Sequence, residues 1–301
     1  MNPIALFGPT GVGKTAVAVA LAGLLRERGE DPTAVSADAL QVYRGLEILT
    51  GVADASDQVA LEHRLISFLP LDATFSVGQY ATLAHREIDE LISRGRTPIV
   101  VGGTGLYLRA ALADLDLRPQ PPRELRERLA DELENVGPRA LHARLAGEAP
   151  WAAADIEPTD RQRVVRALEL LELEQLEQPS PKARSQLWSD DLRHPTLLIG
   201  LTMERAALYA AIDARVERML AAGAREEVLA ADAHGASETA RRALGFDELL
   251  RGDVEAMKRR TRNYSKRQLT WMRKLAGIRT IDVTDRAPLD VAGEILDSHP
   301  A

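Results

Sequence analysis

The chain carries a phosphate-loop pattern near its start, Gly8-Pro9-Thr10-Gly11-Val12-Gly13-Lys14-Thr15, which fits G-x-x-x-x-G-K-[ST] at every fixed position. In such a loop, glycines let successive backbone N–H groups point at phosphate oxygens, and the following helix start adds a favourable dipole. Lys14 supplies a positive charge and Thr15 a hydroxyl for Mg²⁺, the only metal that the motifs suggest. A glycine-rich turn can also serve packing alone. Because an apolar run precedes the loop and a helical pattern follows it, we expect a phosphate or diphosphate site.

A single carboxylate follows the next apolar run along the chain. Asp38 comes directly after Thr33-Ala34-Val35-Ser36-Ala37, which is typical of a buried strand. A carboxylate that faces a bound phosphate can hold Mg²⁺ through water or take a proton from an incoming nucleophile. Capping of a helix or turn is the alternative role. We favour the chemical role.

Positive charge is concentrated in one stretch of an otherwise acidic chain. The formal net charge is -7, yet residues 258–274 hold eight basic residues and no acidic one. A second basic group, Arg161, Arg163 and Arg166, begins another helical pattern. Local field rather than net charge guides a polyanion to a protein. A solvated helix face is the alternative, and we favour contact with a nucleic-acid backbone.

Composition sets the broad class. The 301 residues are 45% hydrophobic and 28% charged, as in a globular protein. There is no cysteine, and the six histidines lack metal-ligand spacing. No apolar run approaches the roughly 18 residues that a membrane helix needs. We expect a cytoplasmic protein with no membrane partner.

Alternating apolar runs and helical patterns predict the elements that position these residues. Strands are predicted at 3–7, 33–37, 98–101, 197–201 and 280–283. Helices are predicted at 14–28, 76–94, directly after Gly105, and at 123–145, 160–178, 205–231 and 254–275. The alternation predicts an α/β fold: a P-loop NTPase-like parallel sheet flanked by helices, with a mainly helical inserted subdomain. The core is expected at 1–118 and about 191–301, and the insert at about 119–190, with a loop at 178–185.

Seven strings carry a family resemblance, in order from Gly8 to Lys274. They are GPTGVGKT, DALQVYRG, VGGTGLYLRA, DRQRVVRALEL, AIDARVERMLAAG, ALGFDEL and TRNYSKRQLTWMRK. Together they resemble the bacterial tRNA dimethylallyltransferases, which modify the adenosine just 3′ of the anticodon. The phosphate loop alone would identify no family, whereas the combination is specific.

The resemblance implies a prenyl transfer. The phosphate loop would hold the diphosphate of dimethylallyl diphosphate with Mg²⁺, and the adenosine N6 would attack the allylic C1. Asp38 would accept the N6 proton, and Arg215 would reach the diphosphate. An ion pair with Asp213 or Glu217 is the alternative for Arg215. Thr10 and Thr104 are family positions close to the reacting atoms, and stabilisation of turns is equally open for both.

The resemblance also implies a tRNA anticodon stem-loop as partner. Nothing in the sequence demands more than a monomer, and we expect one. The implied tRNA-contacting residues are Asp38, Ala39, Leu40, Gln41, Thr104, Arg126, Gln162, Arg163, Val164, Val165, Arg166, Lys266, Arg267 and Gln268. Gln41 and Gln268 suit base edges because an amide both donates and accepts, whereas arginine and lysine suit phosphates. We expect Trp271 in the core rather than stacked on a base.

Two departures from the family pattern lie close to the catalytic aspartate. Ala39 follows Asp38 where the family usually has serine, which removes a hydroxyl near the base. The family's G-T-A-K is replaced by Leu49-Thr50-Gly51-Val52, without the lysine. The segment 171–185 also lacks the family's usual Thr-Gly.

Other function classes use part of the same pattern. A small-molecule kinase also combines a phosphate loop with an Asp after the second strand, but the basic helix has no role there. A prenyltransferase acting on free adenine nucleotide shares the chemistry, and the basic helix and insert favour RNA over it. A non-enzymatic RNA-binding protein has little use for Lys14 and Thr15 beside Asp38.

Overall fold

The computed structural model describes residues 1–118, 120–178 and 186–298, and in them six strands form one parallel sheet. The strands are β1 Ile4–Phe7, β2 Pro32–Ser36, β3 His63–Arg64, β4 Thr97–Gly102, β5 Leu197–Thr202 and β6 Arg279–Asp282. Their order across the sheet is β3-β2-β4-β1-β5-β6, and every pairing is parallel. The predicted α/β fold class is confirmed.

Helices cover both faces of the sheet or build a separate unit. In the first unit they are α1 Lys14–Glu27, α2 Glu47–Thr50, α3 Ala55–Ala60, α4 Val77–Ser93, α5 Gly105–Leu112, α9 Arg205–Ala221, α10 Ala224–Ala233, α11 Glu238–Arg241, α12 Phe246–Leu250, α13 Val254–Met272 and α14 Pro288–Asp297, with a 3₁₀ helix at Gln186–Trp188. In the second unit they are α6 Arg123–Glu148, α7 Pro150–Ala154 and α8 Arg161–Glu172. None of these described helices combines the length and apolar character needed to cross a bilayer.

Strand β1 lies between β4 and β5 in the middle of the sheet, and it is buried on both faces. Alternate side chains enter different cores: Ile4 and Leu6 pack in the layer that contains α1 and α14, while Ala5 and Phe7 pack in the opposite layer. Phe7 is in register with Gly102 of β4 and Gly200 of β5. The carboxyl ends of β1 and β4 are therefore level, so the loops that follow them meet at one edge.

The chain divides into two compact units, residues 1–117 with 185–301 and residues 118–184. The smaller unit has its own apolar core, in which Leu129, Leu145, Val164 and Leu168 are fully buried. Its long helix α6 is kinked at Gly137, whose φ of 80° is a left-handed conformation followed by Pro138.

Some sequence predictions of the elements differ from the structure. The helix predicted at 160–178 ends at Glu172, because Glu174 adopts a positive φ of 56°. The helical stretch predicted at 205–231 is two helices, α9 and α10, separated at left-handed Gly223. Strand β3 was not predicted, since it is a polar two-residue strand on the sheet edge. The loop predicted at 178–185 lies outside the described residues except for Gln178 itself.

Gly102, at the end of β4, tests how tightly the strand ends approach. A Cβ atom at this position would lie 2.2 Å from the backbone oxygen of Ala37, which cannot move freely. We expect Gly102→Ala to lower the free energy of unfolding by about 2 kcal/mol or more, measured by denaturant unfolding. Gly23→Ala is the control, because a Cβ there meets nothing within 4 Å and α1 gains helix propensity. Equal stability of the two variants would contradict the close approach.

Candidate active site

A cavity of about 530 Å³, here called the loop cavity, lies where the loops after β1, β2 and β4 meet. Its volume is in the range of sites that bind small ligands. Six basic and two acidic side chains line it, which leaves an excess of positive charge. The basic ones are Lys14, Arg215, Arg218, Arg242, Arg260 and Arg267, and the acidic ones are Asp38 and Asp57. The cavity is therefore suited to an anion.

The phosphate loop joins β1 to α1 in a conformation that requires glycine at two positions. Gly11 and Gly13 have φ values of 85° and 93°, and Gly13 is the N-cap of α1. Thr10, Gly11, Gly13, Lys14 and Thr15 line the loop cavity. The remaining loop positions are Gly8, Pro9 and Val12. The side chain of Val12 is buried and belongs to the core.

Lys14 is held by its own loop. Its ammonium group donates to the backbone oxygens of Gly8 and Pro9, both at 2.9 Å. The pKa of Lys14 is lowered to about 7, mainly by burial and also by the neighbouring Arg215 charge, while Asp38 opposes the shift. An anion in the cavity would reverse part of this shift, because an opposite charge favours the ammonium form.

Asp38 follows β2 and faces the same cavity. Its Oδ1 accepts a hydrogen bond from the backbone N–H of Leu40 at 2.9 Å. Its Oδ2 makes no hydrogen bond with the described part of the chain. One carboxylate oxygen is thus oriented by the turn, and the other is available to a ligand.

Arg215 of α9 lines the cavity as well. Its guanidinium donates to the backbone oxygen of Thr50 at 3.4 Å, and burial lowers its pKa. The ion pairs considered for it are occupied elsewhere: Asp213 binds Arg262 at 2.5 Å and Glu217 binds Lys258 at 2.6 Å. Arg215 thus directs its charge at the cavity.

Gln268 joins two of the loops that form the cavity. Its Oε1 accepts the backbone N–H of Thr10 at 2.8 Å, and its Nε2 donates to the backbone oxygen of Gly103 at 2.8 Å. A Cβ on Gly103 would lie 2.2 Å from this Nε2. The sequence expectation that Gln268 reads a base edge needs correction, because both ends of this buried amide are bonded within the protein.

Tyr264 brings a hydroxyl to the site that sequence analysis did not single out. Its oxygen lies 3.3 Å from Oγ1 of Thr104. The pKa of Tyr264 is raised to about 12, mainly by burial and also by the charge of Asp38, while Thr104 and Arg267 oppose the rise. Helical spacing could have indicated it, because Tyr264 is one turn before Gln268 on α13. Arg218 and Arg242 also line the cavity and were missed, although Arg218 lies in the string AIDARVERMLAAG.

The residues after Asp38 are partly committed to the protein. Gln41 accepts from the Ser36 hydroxyl at 2.9 Å and donates to the backbone oxygen of Gly51 at 3.0 Å. Its amide is therefore less free for a base than expected. Ala39 and Leu40 line the cavity and pack on the core beside it.

The basic stretch of α13 is partly neutralised by acids from other helices. Lys258 pairs with Glu217, Arg260 with Glu248 at 2.8 Å, and Arg262 with Asp213. Lys266 donates to Asn263 at 3.2 Å and also interacts with Tyr209, and Arg267 lies over the ring of Tyr264. Lys266 and Arg267 are exposed, so they keep the charge that a polyanion would meet. Trp271 packs against Trp188 and the core, as expected.

The smaller unit holds the other residues expected at RNA. Gln162 and Arg163 are exposed on α8, and Val165 is half-buried. Arg126 and Arg166 lie near the same buried carboxylate, Glu169, at 3.9 and 3.1 Å. Val164 departs from expectation, because it is fully buried in the core of this unit and its side chain cannot contact RNA.

Oxygen donors for a magnesium ion are present in the loop cavity. Thr15 and Asp38 both line it and carry the hard oxygen atoms that Mg²⁺ prefers. Within residues 1–118, 120–178 and 186–298, no cluster of three His, Cys, Asp or Glu side chains could hold a metal. Thr15 and Asp38 therefore fit a magnesium ion that takes its other ligands from the oxygen atoms of a bound diphosphate.

The fold and the cavity define an α/β protein of the phosphate-loop class whose cavity is suited to an anion. Residues 41–275 match the family model described as "IPP transferase". The chain belongs to this IPP transferase family.

Curated relatives and solved structures agree with this membership. A tRNA dimethylallyltransferase of Kineococcus radiotolerans is 40% identical, covering 99% of this chain and 96% of the relative. One from Anaeromyxobacter dehalogenans is 41% identical, covering 92% and 94%. The crystal structure of a tRNA isopentenylpyrophosphate transferase from Bacillus halodurans superposes with a TM-score of 0.69 at 32% identity, covering 98% and 96%.

The pKa of Lys14 generates a pH prediction. Above about pH 7 the unliganded protein increasingly holds Lys14 neutral, whereas bound diphosphate restores the ammonium, so binding takes up a proton. We expect the Kd for inorganic diphosphate to weaken from pH 7 to 9, approaching about tenfold per pH unit, measured by titration calorimetry.

Two variants test the source of this slope. Lys14→Met should bind diphosphate more weakly and without the slope. Lys258→Met should keep the wild-type slope, because Lys258 is paired with Glu217 and does not line the cavity. A flat wild-type profile would contradict the lowered pKa.

Proposed function

We propose that this protein transfers the dimethylallyl group of dimethylallyl diphosphate to N6 of the adenosine 3′-adjacent to the anticodon in tRNA. The observation that carries the proposal is the meeting of Lys14, Arg215 and Asp38 in one cavity. Two cations suit a diphosphate leaving group, and a carboxylate beside them suits an incoming N–H nucleophile. The names of relatives at about 40% identity supply the substrate class.

The reaction breaks one bond and forms another. The N6 lone pair of adenosine attacks C1 of the dimethylallyl group, and the C1–O bond breaks with its electron pair remaining on the diphosphate. Asp38 accepts the proton that N6 loses, through the carboxylate oxygen that the turn leaves unbonded. The products are the N6-prenylated tRNA and diphosphate.

Stabilisation of the leaving group falls to the phosphate loop. The loop N–H groups, the ammonium of Lys14 and the guanidinium of Arg215 face the negative charge that builds on the departing oxygen. A bound Mg²⁺, held by the hydroxyl of Thr15 together with oxygen atoms of the diphosphate, would add a Lewis acid for the same charge. The backbone N–H of Thr10 donates to Gln268, which fixes this part of the phosphate loop. The hydroxyl of Thr104 is oriented by the hydroxyl of Tyr264.

The acceptor base must leave the base stack of the anticodon loop to reach C1, because the cavity lies among the loops that follow β1, β2 and β4. Single-stranded loops are the usual target of sequence-specific RNA recognition. We assign backbone contacts to the exposed Arg163, Lys266 and Arg267. We propose that the enzyme acts as a monomer.

Transfer of label from dimethylallyl diphosphate to unmodified tRNA, with AMP and ATP as competing acceptors, tests the function. Label on tRNA is the expected result. Label on the free nucleotide would place the protein among nucleotide prenyltransferases, and ATP consumption without prenyl transfer would favour a kinase.

Asp38→Ala tests the general base. Loss of a positioned proton acceptor should lower the single-turnover transfer rate by about 10²- to 10⁴-fold. The tRNA Kd should stay within about threefold, because most of the binding energy comes from phosphate contacts. Asp57→Ala is the matched control, since Asp57 is the other carboxylate lining the cavity and should remain active. A near wild-type rate for Asp38→Ala would remove the assignment.

Lys266 and Arg267 test the RNA surface. Neutralising both, as Lys266→Gln with Arg267→Gln, should weaken tRNA binding and reduce the salt slope of log K by about 1 to 2. The matched control is Arg26→Gln with Arg28→Gln, two exposed cations at the far end of α1. A slope equal to the wild type in the first variant would place these residues outside the interface.

A further inference from the structure

Glu227 connects helix α10 to the short helix α2. Its Oε1 accepts the backbone N–H of Ile48 at 2.9 Å, and its Oε2 accepts that of Leu49 at 2.7 Å. The N-cap of α2, Leu46, offers no side-chain acceptor to these groups. A carboxylate 178 residues away along the chain therefore caps this helix.

The surroundings of Glu227 are unfavourable for a carboxylate. Burial raises its pKa and the nearby Glu47 carboxylate adds to the rise, while the two backbone N–H bonds oppose it. Helix α2 is a single turn of four residues, which has little stability by itself. The cap thus fixes an element that would otherwise be loosely held.

The other end of α2 forms part of the loop cavity. Its last residue, Thr50, accepts the guanidinium of Arg215 through the backbone oxygen at 3.4 Å. The next residue, Gly51, has a φ of 63°, and a Cβ there would lie 1.8 Å from Nη2 of Arg215. The guanidinium therefore rests against bare backbone at the end of α2, and its position depends on where α2 is held.

We propose that Glu227 is a positioning residue for the diphosphate site, acting through α2 on Arg215. It rests on the proposed function, in which Arg215 binds the diphosphate of the prenyl donor. Glu227 itself contacts no ligand, and it does not line the loop cavity. Its effect is to keep the Thr50 carbonyl, and with it the guanidinium, in the place where the leaving group forms.

Glu227→Gln tests the proposal, because the amide keeps the size and replaces one acceptor oxygen with an NH₂ group facing a backbone N–H. We expect the Kd for inorganic diphosphate, measured by titration calorimetry, to weaken about tenfold, which is the scale of coupling between contacting residues. The Kd for tRNA should not change. Glu226→Gln, an exposed neighbour on the same helix, is the control and should bind diphosphate as the wild type does.

A double variant separates positioning from general stability. In an Arg215→Gln background, Glu227→Gln should change the diphosphate Kd by less than about twofold, because the positioned group is gone. The same tenfold loss in that background, or a lowered Tm with an unchanged Kd, would overturn the proposal. If Glu227→Gln does not fold, Glu227→Asp replaces it, since the shorter side chain keeps the charge but cannot reach both N–H groups.

Failure of the proposed function gives a different result. A wild-type protein that binds diphosphate but transfers no prenyl group to tRNA contradicts the transferase. The dependence of diphosphate binding on Glu227 would still be measured in that case.

Discussion

The bridge made by Gln268 is the interaction on which the site depends. One buried amide ties the phosphate loop, through Thr10, to the loop after β4, through Gly103, and anchors both to the basic helix α13. Each bond contributes about 1 kcal/mol, which is modest. Their geometric effect is larger, because the helix that carries Lys266 and Arg267 is held in register with the loop that carries Lys14. Gln268 therefore connects the proposed diphosphate site to the proposed RNA surface.

Charge in this protein is arranged across elements rather than along the sequence. The eight cations of residues 258–274 have no acid among them, yet acids of α9 and α12 neutralise three. The paired cations, Lys258, Arg260 and Arg262, fix α13 to its neighbours. The exposed Lys266 and Arg267 keep their charge for the proposed contact with RNA. A single basic run thus combines a structural part and a part available to a polyanion, which explains how an acidic protein can present a local positive surface.

The sequence predicts the parts of this molecule that have local causes. The strands near Ile4, Val35 and Ile99 follow from apolar runs, because strands of a parallel sheet are buried on both faces. The phosphate loop and Asp38 follow from spacing. Features with long-range causes were not predictable: strand β3 exists because it pairs with β2, and Gln268 is bonded inside because two distant loops meet it. The role of Glu227 depends equally on a tertiary contact.

The ammonium of Lys14 donates to the carbonyl oxygens of its own loop at Gly8 and Pro9. The loop therefore supplies its own carbonyl oxygens as partners for this cation. An incoming group must compete with two carbonyl dipoles for this cation. A doubly charged terminal phosphate competes well, whereas a neutral or weakly charged group does not. In the proposed function, this competition favours the diphosphate donor over the uncharged alcohol that carries the same prenyl group.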